Sequence, residues 1–249
     1  MKKEELIKYL KEQGFIRSDK VEKVFRKVDR EKFVPVELKE QAYYDTPLPI
    51  PGGNTISAPH MHAICLEELN LNRGEKFLEV GAGSGILLAY AYEIIRKRKC
   101  VYGIEINKET YSFGLENLKR SGYLNKVELI LGDGTLGLPS KAPFDKILLS
   151  ASAPDIPPPL LRQLKNGGIL LCIIGSPYGE QYLVKVIKKS ENEIEKKVLM
   201  PVIFLPLKGK FGWKDGEAGI WTQIPGAQGQ RPNQVRLPPR WGCWDLNPD

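Results

Sequence analysis

From residue 76 onwards, short apolar runs alternate with segments of helical pattern, and this alternation restricts the possible folds more than any other feature. The apolar runs are KFLEV, CVYGIEI, KVELIL, FDKILLS and GGILLCIIG. Helical patterns lie between them, near residues 84–97, 109–121 and 157–165. Runs that are apolar at almost every position are typical of strands covered on both faces. The repeat therefore predicts a doubly wound, mostly parallel α/β sheet.

The flanking segments predict additions at both ends of this sheet. Residues 3–30 predict two short helices, the second capped by Ser18 and apolar at i, i+3, i+4 and i+7. A Pro- and aromatic-rich stretch after them predicts an ordered loop region, and MHAICLEELNL predicts another helix. After the alternating region, YLVKVIK and VLMPVIFLPL predict an antiparallel, hairpin-like edge.

Charge and composition exclude several classes of protein. No stretch approaches the roughly 20 apolar residues of a membrane helix, and the charged N-terminus MKKEELIKYLKE is a poor secretory signal, so a cytoplasmic protein is expected. The net charge of +7 admits a nucleic-acid partner, but many of the lysines alternate with glutamates, which indicates solvated faces. We therefore expect neither a membrane partner nor a nucleic-acid partner. A monomer is also expected. The four cysteines form no CxxC pair, which argues against a zinc knuckle.

A glycine-rich turn, GAGSG, follows the first strand and opens the next helix. Gly81, Gly83 and Gly85 would let the backbone approach a ligand closely at the N-terminus of that helix. Glu105 ends the second strand, about 20 residues further along the chain, where a carboxylate can accept hydrogen bonds from both hydroxyls of a ribose. The pattern predicts a nucleotide-containing cofactor.

Three further acidic or small residues narrow the choice of cofactor. Asp133 and Gly134 follow the third strand, at the same carboxyl edge of the sheet as the glycine turn. Glu79 lies inside the first strand, where it would repel a pyrophosphate but suits the amino group and sulfonium of S-adenosylmethionine. The pattern is GxGxG rather than the GxGxxG of most NAD enzymes, and a Walker lysine is absent. S-adenosylmethionine is therefore the predicted cofactor.

The segment TISAPHMHA, residues 55–63, is the most specific motif in the chain. With LEVGAGSGI, GDG, FDKILLSASAPDIPPPLLRQLKNGG and VIFLPLKGKFGW, it resembles the protein-L-isoaspartate (D-aspartate) O-methyltransferase family. The resemblance covers residues 1 to about 213. Position 54 departs from it slightly, because Asn stands where Gln or Ala would be expected.

The resemblance implies a class I, Rossmann-like methyltransferase fold with an N-terminal helical addition. It implies one domain over residues 1–213, with a helical part over about 1–70 and the core over about 71–213. Residues 214–249 are rich in Gly, Pro, Gln and Arg and predict a disordered extension, although their three tryptophans could alternatively stack on nucleic acid.

The resemblance also implies a reaction and a set of site residues. The family transfers a methyl group from S-adenosylmethionine to the α-carboxylate of isoaspartyl residues in damaged proteins and peptides. The ester then collapses to a succinimide, whose hydrolysis restores some aspartate. Residues expected against the cofactor are Asn54, Thr55, Ile56 and His62. Residues expected on the substrate side are Ser57, Ala58 and His60.

The chemistry of this reaction decides what Ser57 would do. The sulfonium methyl is already an electrophile and the carboxylate is already an anion, so no base has to act first. A covalent serine intermediate is therefore not expected, and Ser57 is predicted to orient the carboxylate with its hydroxyl. His60 and His62 could instead hold a metal, but no cluster of Asp, Glu or Cys completes such a site, so no metal is expected.

Two alternatives stay open from the sequence. A class I RNA methyltransferase would share the cofactor geometry and suit the positive charge, although no NPPY-like motif and no Pro-Cys pair is present. A binding module that had lost the chemistry would also share the fold. The intact set of Ser57, Glu105 and Asp133 argues against such decay.

Overall fold

The N-terminal region is helical, as the apolar spacing predicts. The elements here are α1 (Lys3–Glu12), α2 (Asp19–Lys27), β1 (Leu48–Ile50), β2 (Asn54–Ile56) and α3 (Pro59–Leu69). The amide of Val21 donates to the Ser18 hydroxyl at 3.4 Å, which confirms Ser18 as the cap of α2. The apolar side of α2 is buried at Val21, Val24 and Phe25, so burial of that side holds the helix against the rest of the molecule.

The stretch predicted as an ordered loop contains more regular structure than the sequence indicates. It holds two 3₁₀ turns, Arg30–Lys32 and Val36–Gln41, and the small antiparallel hairpin formed by β1 and β2. The hairpin strands are three residues long, and Pro49 interrupts the first. Such short strands show no alternation of polar and apolar residues, so no pattern predicts them.

A seven-stranded sheet forms the centre of the computed structural model, which describes residues 1–214. The strands are β3 (Phe77–Val80), β4 (Val101–Glu105), β5 (Glu128–Leu131), β6 (Phe144–Ala153), β7 (Leu164–Gly175), β8 (Gln181–Ser190) and β9 (Glu193–Val202). Their order is β5-β4-β3-β6-β7-β8-β9. Pairs from β5 to β7 are parallel, and β7-β8 and β8-β9 are antiparallel. The predicted sheet and its antiparallel edge are confirmed.

Helices cover both faces of this sheet. The connecting helices are α4 (Ile86–Ile95), α5 (Lys108–Arg120) and α6 (Pro158–Gln163). Adjacent strand residues point to opposite faces, so Leu148 packs in one core with α1–α5 and Leu149 in a second core with Leu160 of α6. The chain runs outward from β3 to β5 and then returns to the other side of β3. Ligands of doubly wound sheets bind at the carboxyl ends of the strands beside such a reversal.

The antiparallel edge differs in its boundaries from the prediction. The dozen polar residues expected between β8 and β9 belong almost entirely to the strands, and only residues 191 and 192 separate them. Most of β9 is exposed at the edge of the sheet, and an edge strand tolerates lysines and glutamates on its solvent side. The polar run therefore indicates an exposed strand rather than a loop.

The segment after β9 folds back onto the carboxyl end of β6. Ser152 accepts hydrogen bonds at its carbonyl from the amide of Leu207 and from Nε1 of Trp213, both at 2.8 Å.

The predicted extension, residues 214–249, lies outside the described residues from position 215 on, so the domain boundary stays a prediction. Among residues 1–214, no helix combines the length and the hydrophobicity that crossing a membrane requires.

Candidate active site

The turn between β3 and α4 has the backbone conformation that its glycines predict. Gly81, Gly83 and Gly85 have φ values of 86°, 52° and 80°. These values lie in the left-handed region, which side chains disfavour, so each glycine serves the geometry of the turn. The Gly83 amide donates to Oε2 of Glu105 at 3.0 Å. The turn at the end of β3 is thereby tied to the end of β4.

Glu105 is buried at the carboxyl end of β4 and joins two turns. Its Oε1 accepts a hydrogen bond from the amide of Asn107 at 2.9 Å, while its Oε2 accepts the bond from Gly83. Each carboxylate oxygen offers a further lone pair for a ribose hydroxyl. The predicted role of Glu105 as a ribose ligand stays a prediction.

Glu79 is a buried acidic residue whose carboxyl group is only partly hydrogen-bonded. It is 4% exposed, and its Oε1 accepts a hydrogen bond from the Ser150 hydroxyl at 3.2 Å. Its Oε2 is buried and has no hydrogen-bond partner among the described residues. Burial raises the pKa of Glu79 well above its usual range, and the nearby charge of Glu105 adds to this effect. A cationic group placed at Oε2 would relieve both penalties.

One small cavity, of about 50 Å³, lies between the glycine turn and the start of α3. It brings together seven of the predicted residues: Thr55, Ile56, Ser57, His62, Glu79, Gly81 and Gly83. Ser57 and Glu79 lie 22 positions apart in the sequence and meet here, because α3 packs against the same sheet that holds β3. The cavity is therefore the candidate active site.

The predicted residues outside the cavity lining have structural contacts. Nδ2 of Asn54 donates to Oγ1 of Thr110 at 2.8 Å, which ties the hairpin to α5. Oδ2 of Asp133 accepts from the amide of Lys210 at 2.8 Å, and its Oδ1 accepts from the amide and hydroxyl of Thr135. Asp133 thus holds the C-terminal segment, and its cofactor role stays a prediction.

Two smaller residues complete the predicted set. Gly134 is buried, and a side-chain carbon there would lie 2.5 Å from Cγ1 of Val80, so packing alone requires glycine. Ala58 is buried at the N-cap position of α3. Neither observation tests the ligand role predicted for it.

The two histidines have partners other than Ser57. Both the amide and Nδ1 of His60 lie 2.9 Å from Oδ1 of Asp45. Nδ1 of His62 lies 3.3 Å from Nη1 of Arg30, and burial followed by the charges of Arg30 and His60 lowers the pKa of His62 well below its usual range. The Ser57 hydroxyl forms no hydrogen bond within residues 1–214. The described part of the chain thus holds no Ser-His pair of the kind that activates a serine nucleophile.

Sequence reasoning missed four residues of the site: Arg30, Asp45, Ser150 and Phe204. Ser150 and Phe204 line the cavity, and Asp45 and Arg30 hold the two histidines. Phe204 lies within VIFLPLKGKFGW, a segment that carried the family resemblance, so a signal for it existed. Arg30 follows the last apolar position of the second predicted helix, and Asp45 lies in the Pro- and aromatic-rich stretch, so no pattern in the sequence marks either residue.

Metal binding finds no support in this region. Within residues 1–214, no three His, Cys, Asp or Glu side chains come close enough together to hold a metal ion. Cys65 lines the cavity, but burial raises the pKa of its thiol to about 12, so it is neutral and packs as a small apolar residue.

Comparison with known proteins identifies the family. The model of the family "Protein-L-isoaspartate(D-aspartate) O-methyltransferase (PCMT)" matches residues 1–212. A protein-L-isoaspartate O-methyltransferase of Hyperthermus butylicus is 46% identical over 220 residues, which span 86% of this chain and 91% of that protein. One of Thermococcus sibiricus is 47% identical over 211 residues, spanning 84% and 95% of the two chains.

Solved structures agree with the sequence relatives. One is the crystal structure of a Plasmodium falciparum protein, named as a protein-L-isoaspartate O-methyltransferase and bound to S-adenosyl-L-homocysteine. It is 34% identical to this chain, and the match has a TM-score of 0.74 and covers 82% of this chain and 97% of that one. Sequence and structure give one answer: the chain belongs to the protein-L-isoaspartate(D-aspartate) O-methyltransferase family.

Proposed function

We propose that the protein is a repair methyltransferase that methylates the α-carboxylate of L-isoaspartyl residues in damaged proteins and peptides. S-adenosylmethionine supplies the methyl group, which moves from sulfur to a carboxylate oxygen and leaves S-adenosylhomocysteine and a methyl ester. The chain belongs to a family of this activity, and the Plasmodium relative binds the demethylated product of this cofactor. The observation that carries the proposal is the meeting of the Thr55–Ser57 and glycine-turn residues at one cavity.

The residues around the cavity fit this cofactor. Glu79 has an unpartnered, buried oxygen that would accept the amino group of the methionine moiety. The glycines at 81, 83 and 85 leave room for close approach, and Glu105 holds acceptors for a ribose. Asn54, Thr55, Ile56 and His62, with Asp133 and Gly134, complete the proposed cofactor set.

Catalysis by this arrangement consists of positioning. The Ser57 hydroxyl would donate to one carboxylate oxygen of the substrate and aim the other at the methyl group. Ala58 and His60 would contact the substrate beside it. No proton has to be removed before attack, which agrees with histidines that pair with Arg30 and Asp45 instead of Ser57.

The proposed partners follow from the reaction. Isoaspartyl-containing proteins and peptides are the substrates, and we propose a monomeric, cytoplasmic enzyme without a nucleic-acid or membrane partner. The RNA methyltransferase alternative is not favoured, because the family model spans residues 1–212 and the relatives share the repair activity in their names.

Transfer of labelled methyl groups tests the proposal. The purified chain is incubated with labelled S-adenosylmethionine and either an isoaspartyl peptide, the same peptide with a normal aspartyl linkage, or bulk transfer RNA. We expect base-labile label in the isoaspartyl peptide alone. Label confined to RNA, or equal label in both peptides, would contradict the proposal.

A further inference from the structure

Arg30 is the most deeply buried charged residue near the candidate site. Its side chain is 1% exposed, and burial lowers the pKa of its guanidinium to about 10. Nη2 donates to the carbonyl oxygen of Ser57 at 2.8 Å, and Nη1 lies 3.3 Å from Nδ1 of His62. The side chain therefore lies directly behind the segment that carries the predicted catalytic serine.

This buried cation has no carboxylate within ion-pair distance among the described residues, and the charge of Asp45 favours it only from further away. Among residues 1–214, Arg30 forms no ion pair with a carboxylate, and its Nε has no hydrogen-bond partner. A buried charge without a directly bonded counter-ion lowers the stability of the folded state. A residue that costs stability in this way is often kept for function, and here the nearest reacting group would be an anion.

The peptide group between Ser57 and Ala58 joins a residue that lines the cavity, Ser57, to the start of α3, and Arg30 binds its carbonyl. This peptide is trans, so its carbonyl and its N–H point in opposite directions. The carbonyl points at Arg30, and the N–H of Ala58 has no acceptor within the described residues. Ser57 lines the cavity, and Ala58 is the N-cap of α3, whose first amides attract negative charge.

We propose that Arg30 is a positioning residue for the substrate carboxylate. It fixes the Ser57–Ala58 peptide so that the N–H of Ala58 and the hydroxyl of Ser57 together receive the carboxylate. Donation from a guanidinium to the carbonyl also polarises the peptide and makes its N–H a stronger donor. The positive charge behind this peptide favours an anionic group over a neutral one. The inference rests on the proposed methylation of isoaspartyl residues.

Two substitutions separate this role from a structural one. Arg30→Met keeps most of the side-chain volume and removes the charge and both contacts. We expect kcat/KM for an isoaspartyl peptide to fall by about 10- to 100-fold, the scale of losing an oriented donor. Affinity for S-adenosylhomocysteine, measured by calorimetry, should fall less than kcat/KM, because Glu79 and the glycine turn are untouched although His62 loses its contact with Arg30. The Tm should be unchanged or higher, because an unpaired buried cation has been removed.

Arg120 provides the matched control. Its guanidinium also donates to backbone carbonyls of the N-terminal region, at 2.7 Å to Lys32 and 3.2 Å to Val34, but it does not touch residues 57–62. Arg120→Met should lower the Tm and leave kcat/KM unchanged. Opposite effects of the two substitutions are the expected signature of a positioning role for Arg30.

A second readout tests charge recognition directly. In the presence of S-adenosylhomocysteine, binding of the isoaspartyl peptide is compared with that of its carboxamide analogue. Wild type should prefer the carboxylate, Arg30→Met should lose at least about tenfold of that preference, and Arg30→Lys should retain part of it. An unchanged preference, or unchanged kcat/KM in Arg30→Met, overturns the inference. Absence of methylation by the wild type would overturn the proposed function instead.

Discussion

At the scale of single residues, Glu79 is a proposed binding residue that lowers the stability of the cofactor-free protein. Its carboxylate is buried beside Glu105 and has one oxygen without a partner. Because its pKa in the folded state is raised, the stability it contributes is present at low pH and is lost as the pH rises through the folded pKa. The cofactor-free protein therefore carries a cost at neutral pH that a bound cation would offset.

Glu79→Gln tests this cost in both directions. We expect the cofactor-free variant to unfold at a higher temperature than wild type at neutral pH, with the difference vanishing below the unfolded pKa of a glutamate. Its affinity for S-adenosylmethionine should fall by about 10- to 100-fold, since a charged hydrogen bond contributes ~1.5–3 kcal/mol. Thermal unfolding across pH and calorimetric titration measure the two effects. A variant that is less stable at neutral pH, or that binds normally, would refute this reading of Glu79.

Ser57 is the residue on which the proposed chemistry depends. Ser57→Ala should lower kcat by about 100-fold through loss of the orienting donor. Binding of S-adenosylmethionine should change little, because Glu79 and the glycine turn are untouched. Ser57→Thr keeps a hydroxyl and serves as the control, with activity between the two. Steady-state kinetics decide the point, and full turnover in the alanine variant would remove Ser57 from the mechanism.

At the scale of elements, the β1–β2 hairpin positions the segment that contains Ser57. Three contacts dock the hairpin on the start of α5: Asn54 Nδ2 to Thr110 Oγ1 at 2.8 Å, Thr110 Oγ1 to the Pro51 carbonyl at 2.8 Å, and Asn107 Nδ2 to the Gly52 carbonyl at 3.2 Å. Because α5 also carries the turn that holds Glu105, the hairpin couples the serine segment to the cofactor side.

Gly52 and Gly53 form a natural pair for testing this docking. Both have positive φ, of 84° and 71°, so alanine at either costs about 1–2 kcal/mol of backbone strain. A side-chain carbon at Gly52 would lie 2.4 Å from Thr110 Oγ1 and 2.5 Å from Asn107 Oδ1, whereas one at Gly53 meets nothing within 4 Å. Gly52→Ala should therefore lower both Tm and kcat/KM, and Gly53→Ala should lower the Tm alone. Equal kinetics in the two variants would argue against the coupling.

At the scale of the whole molecule, the segment after the last strand of the sheet contributes to the lining of the candidate active site. Asp133, Ser152 and Gln181 bind the backbone or side chains of residues 204–213, and this places Phe204 on the cavity wall. We therefore expect the catalytic unit to extend to Trp213, beyond the last strand of the sheet.

Truncation tests where that unit ends. A chain that stops at residue 214 should keep kcat/KM within about twofold of the full chain and unfold at nearly the same temperature, because no described contact is removed. A chain that stops at residue 202 should lose activity, since Phe204 and Trp213 go with it. Methylation assays on the three chains measure this. Loss of activity on removal of residues 215–249 alone would assign them a role in the enzyme.

Local patterns determined the sheet, its helices and the glycine turn without help from the structure. Apolar periodicity and glycine placement act within a few residues of chain, so the βαβ repeat, the Ser18 cap and the glycine turn could be derived in advance. The segment that contains Ser57 was found through its resemblance to a family motif. No physical pattern in the sequence predicted where that segment would lie in the fold. The polar edge strands β8 and β9 lacked such patterns, and the sequence misplaced their boundaries. The three-residue strands β1 and β2 also lacked them, and the sequence did not predict these strands.

Only the tertiary structure decided which distant residues surround the reacting groups. Arg30 contacts Ser57, Asp45 contacts His60, and Phe204 lines the same cavity as Glu79, because packing of the N-terminal region and the C-terminal segment brings them together. A single buried contact between residues 27 positions apart leaves no periodic trace in the chain. Its energetic consequence, a desolvated charge with no directly bonded counter-ion, exists only in the folded protein, because in the unfolded chain water solvates the guanidinium.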